Sequence, residues 1–333
     1  MANFWIAPLV ILAAILMIGI VLVAARYFQD IHAARKRIDS LGSQVIETAC
    51  GPVEYARIGK GDPLLVVHGA LGGFDQGLFL AHSIDLPNSQ IISVSRFGFL
   101  RSPVPSGATL DTQADAFAAL LDALEIRKTA VFAVSAGSTS AIRFAARHPQ
   151  HVSALILMGP DAPGTTYMAL PPRFMSHILF GNDFVYWAMI HCFGKKMQTA
   201  TGLVPKGYAL TPEYAALVNK VQTGSLPVSR RLDGWDFETY TCAKEFWASV
   251  TPASPYSLSK IETPALVIMA EDDPISLPAN VRALAEQMPN ARQYSVADGG
   301  HFLFGHADEV KAEISQFLHS HVIDPQKAID LRL

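Results

Sequence analysis

The sequence predicts an α/β chain: a doubly wound, mostly parallel sheet with an inserted helical cap, preceded by an N-terminal transmembrane helix. Three observations predict it. Short β-branched apolar runs alternate with amphipathic stretches along most of the 333 residues, as expected of parallel strands buried on both faces between crossover helices. Residues 165–255 hold no clear strand but carry many large aromatic side chains. The first charged side chain of the chain is Arg26. Half of all residues are hydrophobic and 17% are charged, against about a quarter charged in ordinary soluble domains, which excludes a disordered chain. A net charge of −3 offers no electrostatic footprint for nucleic acid, and no such partner is expected. Cys50, Cys192 and Cys242 form no CxxC pair, which excludes a disulfide scaffold and a thiolate zinc site.

In chain order, residues 4–25 (FWIAPLVILAAILMIGIVLVAA) come first and contain no charge. As a helix they span about 33 Å, enough for a bilayer core. A cleaved signal peptide fits less well, because no basic segment precedes the run and it exceeds the usual 7–15 apolar residues. Val23-Ala24-Ala25 is only a weak cleavage site. Arg26, Arg35, Lys36 and Arg37 follow the span and no Lys or Arg precedes it. The positive-inside rule then puts the rest of the chain in the cytoplasm, as a single-pass protein. Unpaired cysteines agree with a reducing compartment.

Residues 26–43 read as a charged, helical linker. Gln44–Ala49 and Val53–Ile58 flank a Cys50-Gly51-Pro52 turn and suggest an antiparallel hairpin. Strands are expected at 63–69, 90–96, 129–135, 153–159, 264–270 and 291–297. Helices are expected at Leu110–Leu124, Ser138–Arg147, Ala279–Met288 and Val310–Leu318. The resulting division is a core in two parts, 44–164 and 256–321, with the cap 165–255 between them.

The strongest local signal is Ala133-Val134-Ser135-Ala136-Gly137, where a strand gives way to a helix. A sharp elbow there strains the central residue and exposes its side chain, and it needs small residues on either side. Ser135 is therefore the candidate nucleophile, against the plainer role of a helix N-cap. His68-Gly69-Ala70-Leu71-Gly72-Gly73 follows the strand 63–69. A glycine-rich turn there can aim free N–H groups at a developing oxyanion. The donors would be Ala136 and Ala70, with Leu71 the alternative to Ala70. His68 itself reads as structural. Glu271-Asp272-Asp273 closes one late strand, and Asp298-Gly299-Gly300-His301 follows the next. Acids and a histidine at the ends of consecutive strands converge on the edge where Ser135 lies. A neutral imidazole would take the serine proton, and a carboxylate would orient that imidazole. Of eleven histidines only His301 sits in a glycine-rich turn after a late strand; His306 is the runner-up.

Over about residues 44–320 these features resemble the α/β-hydrolase fold superfamily, as serine hydrolases. Ser95-Arg96-Phe97-Gly98-Phe99-Leu100-Arg101-Ser102 is similar to its D-x-R-G-x-G-x-S turn, with Ser95 at the structural Asp position, and Arg147-His148-Pro149 to its R-x-P turn. The resemblance implies Ser135 as nucleophile, His301 as base and Asp273 as acid. Asp272 is then one residue off and solvated, and Asp161 is the alternative acid. Serine at 135 argues against dehalogenase and epoxide hydrolase chemistry, which need a carboxylate nucleophile. The expected activity is hydrolysis of an ester-like acyl bond of a small, apolar substrate, in the manner of carboxylesterases and lipases. C–C bond hydrolase, lactonase, thioesterase and haloperoxidase-like activities stay open, as does a non-catalytic ligand-binding module. No metal or organic cofactor is implied: HExxH is absent and His148-x-x-His151 spans a proline. Nothing in the sequence sets the oligomeric state.

Overall fold

The computed structural model describes residues 6–84, 88–163 and 172–321. The first two residues of the expected span, the expected start of the cap and the tail after His321 lie outside the described residues. An eight-stranded sheet runs in the order β1-β2-β4-β3-β5-β6-β7-β8. Its strands are β1 (Gln44–Thr48), β2 (Gly51–Ile58), β3 (Asp62–Val67), β4 (Ser89–Val94), β5 (Thr129–Val134), β6 (Val152–Met158), β7 (Ala265–Ala270) and β8 (Ala291–Val296). β1, β2 and β4 pair antiparallel; the other pairings are parallel. The expected α/β architecture is the observed one.

Period-2 alternation feeds two cores. Leu65 and Val67 of β3 point into one, with Phe117, Phe144 and Leu284. Leu64 and Val66 point into the other, with Phe74, Ile314 and Phe317. Helices α3 (Leu110–Ala123), α4 (Gly137–Arg147) and α10 (Pro278–Gln287) therefore cover the first face, and α2 (Phe74–Ile84) and α11 (Ala307–His321) the second. α3 starts on a capping box, Thr109 with Thr112, which satisfies two orphan N–H groups.

One expectation is corrected here. The strand at 291–297 is not buried on both faces: β8 is an edge strand, and Arg292, Gln293 and Ser295 are exposed. The expected span and its helical linker form one continuous element. α1 runs unbroken from Ile6 to Ser40. The charge at Arg26 changes what the helix faces, not its backbone hydrogen bonding. Pro8–Ser40 is long and apolar enough to cross a membrane, and its most apolar window is not buried against the protein. Beyond it, Ile31, Ala34 and Ile38 are buried.

Between β6 and β7 the described residues hold no strand. They form α5 (Arg173–Phe180), α6 (Asp183–Ala200), α7 (Pro212–Gly224), α8 (Leu232–Phe237) and α9 (Ala243–Ser249). A π-helical turn, Glu238–Cys242, joins α8 to α9. Ile31 and Ala34 of α1 pack with Tyr186, Trp187, Ile190, Leu226 and Val228, so α1 docks on the cap.

Candidate active site

Ser135 sits in the turn between β5 and α4 with φ of 53°, a left-handed conformation that costs a non-glycine residue about 1–2 kcal/mol. Its surroundings hold it there. The Ser135 N–H donates to Met158 O at 3.0 Å, and its carbonyl accepts from Ser138 N at 2.9 Å. Gly137 has to be glycine, because a Cβ would lie 2.4 Å from His68 O. Gly69 brings the neighbouring loop close: a Cβ there would lie 3.2 Å from Ser135 Cβ. Ala133, by contrast, buries its methyl in the core.

The loop 68–73 is fastened through its backbone. Gly69 N donates to Gln76 Oε1 at 2.8 Å, and Arg96 Nη2 donates to Gly69 O at 3.1 Å. His68 is fully buried, with Nε2 accepting from Arg96 N at 3.1 Å. That fixes the proton on Nδ1, which donates to Gly69 O at 2.8 Å. Burial, aided by the Arg96 charge, holds the His68 pKa well below its ordinary value, so the ring is neutral. Arg231 donates to Gly72 O. With these contacts made, the N–H groups of Ala70, Leu71 and Ala136 have no acceptor among the described residues.

His301 and Asp273 are brought together. Nδ1 of His301 lies 2.8 Å from Asp273 Oδ2, and both residues are buried. Asp273 Oδ1 accepts from Ile275 N at 2.8 Å and Ser276 N at 3.0 Å, which fixes the carboxylate. Nδ1 therefore carries the imidazole proton and Nε2 keeps its lone pair. The imidazole lies on Gly159, where a Cβ would stand 3.0 Å from His301 Cε1. Gly159 directly follows Met158, the acceptor of the Ser135 N–H. The serine turn and the imidazole thus both adjoin the end of β6, at Met158 and Gly159.

The other candidates are elsewhere. His306 is bound to Asp298 and Glu309, each at 2.9 Å. Asp272 is not merely solvated: its Oδ1 accepts from Gly300 N at 2.8 Å, shaping the turn that carries His301. Asp161 approaches Ser135 only through its backbone, N to O at 3.3 Å. Burial, with the Glu238 carboxylate nearby, pushes the Asp161 carboxyl up to about 6.

Two features gave no sequence signal. Ser276 donates to Gly159 O at 2.6 Å, and its oxygen lies 3.4 Å from His301 Nδ1. Arg96, which holds the loop, is paired with Glu238 of the cap, far away in sequence. A small cleft of about 100 Å³ between α1, α2 and α7 is lined by Arg37, Leu71, Asp75, Gln76, Lys220 and Arg231. Ser135, Asp273 and His301 do not line it; it borders this site through Leu71 and Gln76 of the loop region.

An alpha/beta hydrolase fold family model matches residues 62–307, well over half of the chain. The chain belongs to the α/β hydrolase family. The chain is also similar to individual proteins. It is 27% identical over 297 residues to a poly(3-hydroxyalkanoate) depolymerase of Ectopseudomonas oleovorans, covering 85% of this chain and 92% of that protein. It is 36% identical over 107 residues to the uncharacterized hydrolase YcgS of Bacillus subtilis, spanning only 37% of that protein's length. Among solved structures, an α/β hydrolase fold protein from Nakamurella multipartita superposes with a TM-score of 0.66 at 27% identity, over 83% of this chain and 99% of that one. These relatives support a hydrolase.

Proposed function

We propose that this α/β hydrolase is a membrane-anchored serine hydrolase that cleaves an ester-like acyl bond of an apolar substrate. The observation that carries it is Ser135, strained at φ 53° at the same edge as the buried His301–Asp273 pair, 2.8 Å apart. Ser135 Oγ attacks the acyl carbonyl carbon while His301 Nε2 takes its proton. Asp273 keeps the ring in that tautomer and stabilises the imidazolium. The carbonyl oxygen becomes an oxyanion held by the N–H groups of Ala136 and Ala70, with Leu71 next to Ala70 as the other free donor. Losing one such donor typically costs about 100- to 1,000-fold in rate. The imidazolium then protonates the departing alkoxide. Water, deprotonated by His301, attacks the acyl-enzyme, and Ser135 leaves with its proton restored.

Anchoring rests on α1. Leu9, Val10, Ile11 and Leu12 are all exposed, so the apolar surface runs around its whole circumference, and such a helix needs a non-aqueous solvent. The basic residues from Arg26 to Arg37 favour a cytoplasmic catalytic domain by the positive-inside rule.

A fluorophosphonate probe tests the chemistry: the native protein labels and Ser135→Ala does not. Equal labelling of the two overturns the proposal. On p-nitrophenyl esters of rising chain length, turnover is expected to rise beyond acetate; a sharp preference for acetate counts against an apolar substrate. Protease digestion of right-side-out vesicles is expected to spare the domain, and its degradation there reverses the orientation.

A further inference from the structure

Helix α5 is built inside out. Phe174, Met175 and Ile178 share one face by their spacing, and all three are exposed, Phe174 at 66% and Ile178 at 57%. The opposite side holds the polar groups: Ser176 is fully buried, and Arg173 and His177 both reach Asp236, at 2.8 and 2.6 Å. A helix on a water-facing surface turns its apolar stripe inward. Single exposed apolar residues are ordinary, but this face is continued by others. Two residues separate the end of α5 from the start of α6, and Phe184 in the first turn of α6 is 44% exposed.

Phe184 also fixes where this corner stands relative to α1. Its ring meets Tyr27 edge-on at 5.2 Å, and Trp187 meets the same ring at 5.5 Å. Phe28, next on α1, is 66% exposed. Tyr27 lies two residues past the end of the chargeless run, about 3 Å along a helix axis. The height is not adjustable. α1 is one unbroken helix, and it is clamped to α6 by Trp187 Nε1 donating to Asp30 at 2.9 Å and by the packing of Ile31 and Ala34.

We propose that this corner of the cap, formed by Phe174, Met175, Ile178, Phe184 and Phe28, is a membrane-contact surface, lying in the headgroup region of the bilayer that α1 crosses. The inference rests on α1 being a membrane span. The occupant is a lipid surface because the patch continues the span at interfacial depth, where apolar faces sink about 5–10 Å into the headgroup–acyl boundary and aromatic side chains concentrate. Arg26 and Arg173 keep side chains 62% and 64% exposed although each is paired with an aspartate, Asp30 and Asp236.

The test uses the full chain in nanodiscs of phosphatidylcholine with a minority of phosphatidylglycerol. In a Cys50→Ser, Cys192→Ser background, single nitroxide labels are placed at Ile178→Cys and Phe28→Cys. Glu286→Cys, on the exposed side of α10, reports water, and Leu16→Cys reports the span. Collision with oxygen, which partitions into lipid, is compared with collision with a water-soluble nickel chelate. The expected oxygen-to-nickel ratio at 28 and 178 is severalfold above that at 286 and below that at 16. A ratio at 178 equal to that at 286 overturns the inference, as does shielding of 178 from both reagents, which means that protein covers the patch. A lipid-like label at 16 leaves the anchor standing in either case; a water-like label there removes the anchor, and this inference with it.

Discussion

Arg231 and Asp75 form an ion pair at 2.8 Å with both side chains sealed from solvent. The pair is the hub of the loop next to Ser135. Arg231 also donates to Gly72 O, and Arg37 of α1 reaches the same carboxylate at 3.1 Å. Burial alone would raise the Asp75 pKa, but the two guanidiniums outweigh it and hold the carboxyl below its ordinary value.

Asp75→Asn is expected to destabilise the fold by about 3–5 kcal/mol, because it leaves Arg231 buried and unpaired. Urea titration at neutral pH reads this. The depressed pKa sets the sign with pH: the stabilisation is complete above the unfolded carboxylate value and is lost as pH falls through the folded one. The deficit of the variant should therefore narrow only in strong acid. A variant as stable as the native chain at pH 7 contradicts the role of the pair.

Gly159→Ala tests the contact between Gly159 and His301. Gly159 has φ of 52°, so alanine pays about 1–2 kcal/mol in backbone strain, and its methyl presses on the imidazole. The expected result is a modest loss of stability with a much larger loss of fluorophosphonate labelling rate. Parallel small losses in both would show that the ring position is not limiting.

His68 titrates with the fold. Its folded pKa is depressed, so its contribution is complete above about 6.5, the unfolded value, and drains away as pH falls below that. His68→Gln keeps an acceptor for Arg96 N–H but does not ionise. It is expected to cost about 1 kcal/mol at pH 8, with the gap to the native protein closing or reversing near pH 5. A gap that is constant with pH refutes a neutral buried imidazole.

Asp161 carries the opposite sign. Its pKa is raised to about 6, so the native protein loses stability as pH rises through the interval between the unfolded and folded values. Asp161→Asn should be more stable than the native chain at pH 8, by at most about 3 kcal/mol at 1.36 kcal/mol per pKa unit, and equal to it near pH 4. Thermal melts at the two pH values measure this.

What the sequence revealed about the fold was what local chemistry encodes. The β-branched runs predicted the parallel strands because a strand buried on both faces has no polar side to show, and the small residues around Ser135 marked the elbow because only they let backbones approach. α2 carries no clear sequence signal: it holds Gly77, whose role is invisible locally, since a Cβ there would stand 2.1 Å from Ser93 Oγ of a neighbouring strand. The expectation of a doubly buried β8 neglects Arg292 and Gln293, which mark an edge. Pairs such as Arg231–Asp75 and Arg96–Glu238 join segments more than a hundred residues apart, and spacing cannot reveal them.

The unbroken course of α1 has a mechanical consequence. For an anchored chain, no hinge separates the span from the stretch docked on the cap, so span and domain tilt as one body. Helices longer than the local bilayer thickness tilt to fit it. The tilt of such a span is then also the tilt of the domain, and α1 touches the loop beside Ser135 through Arg37, Asp75, Arg231 and Gly72.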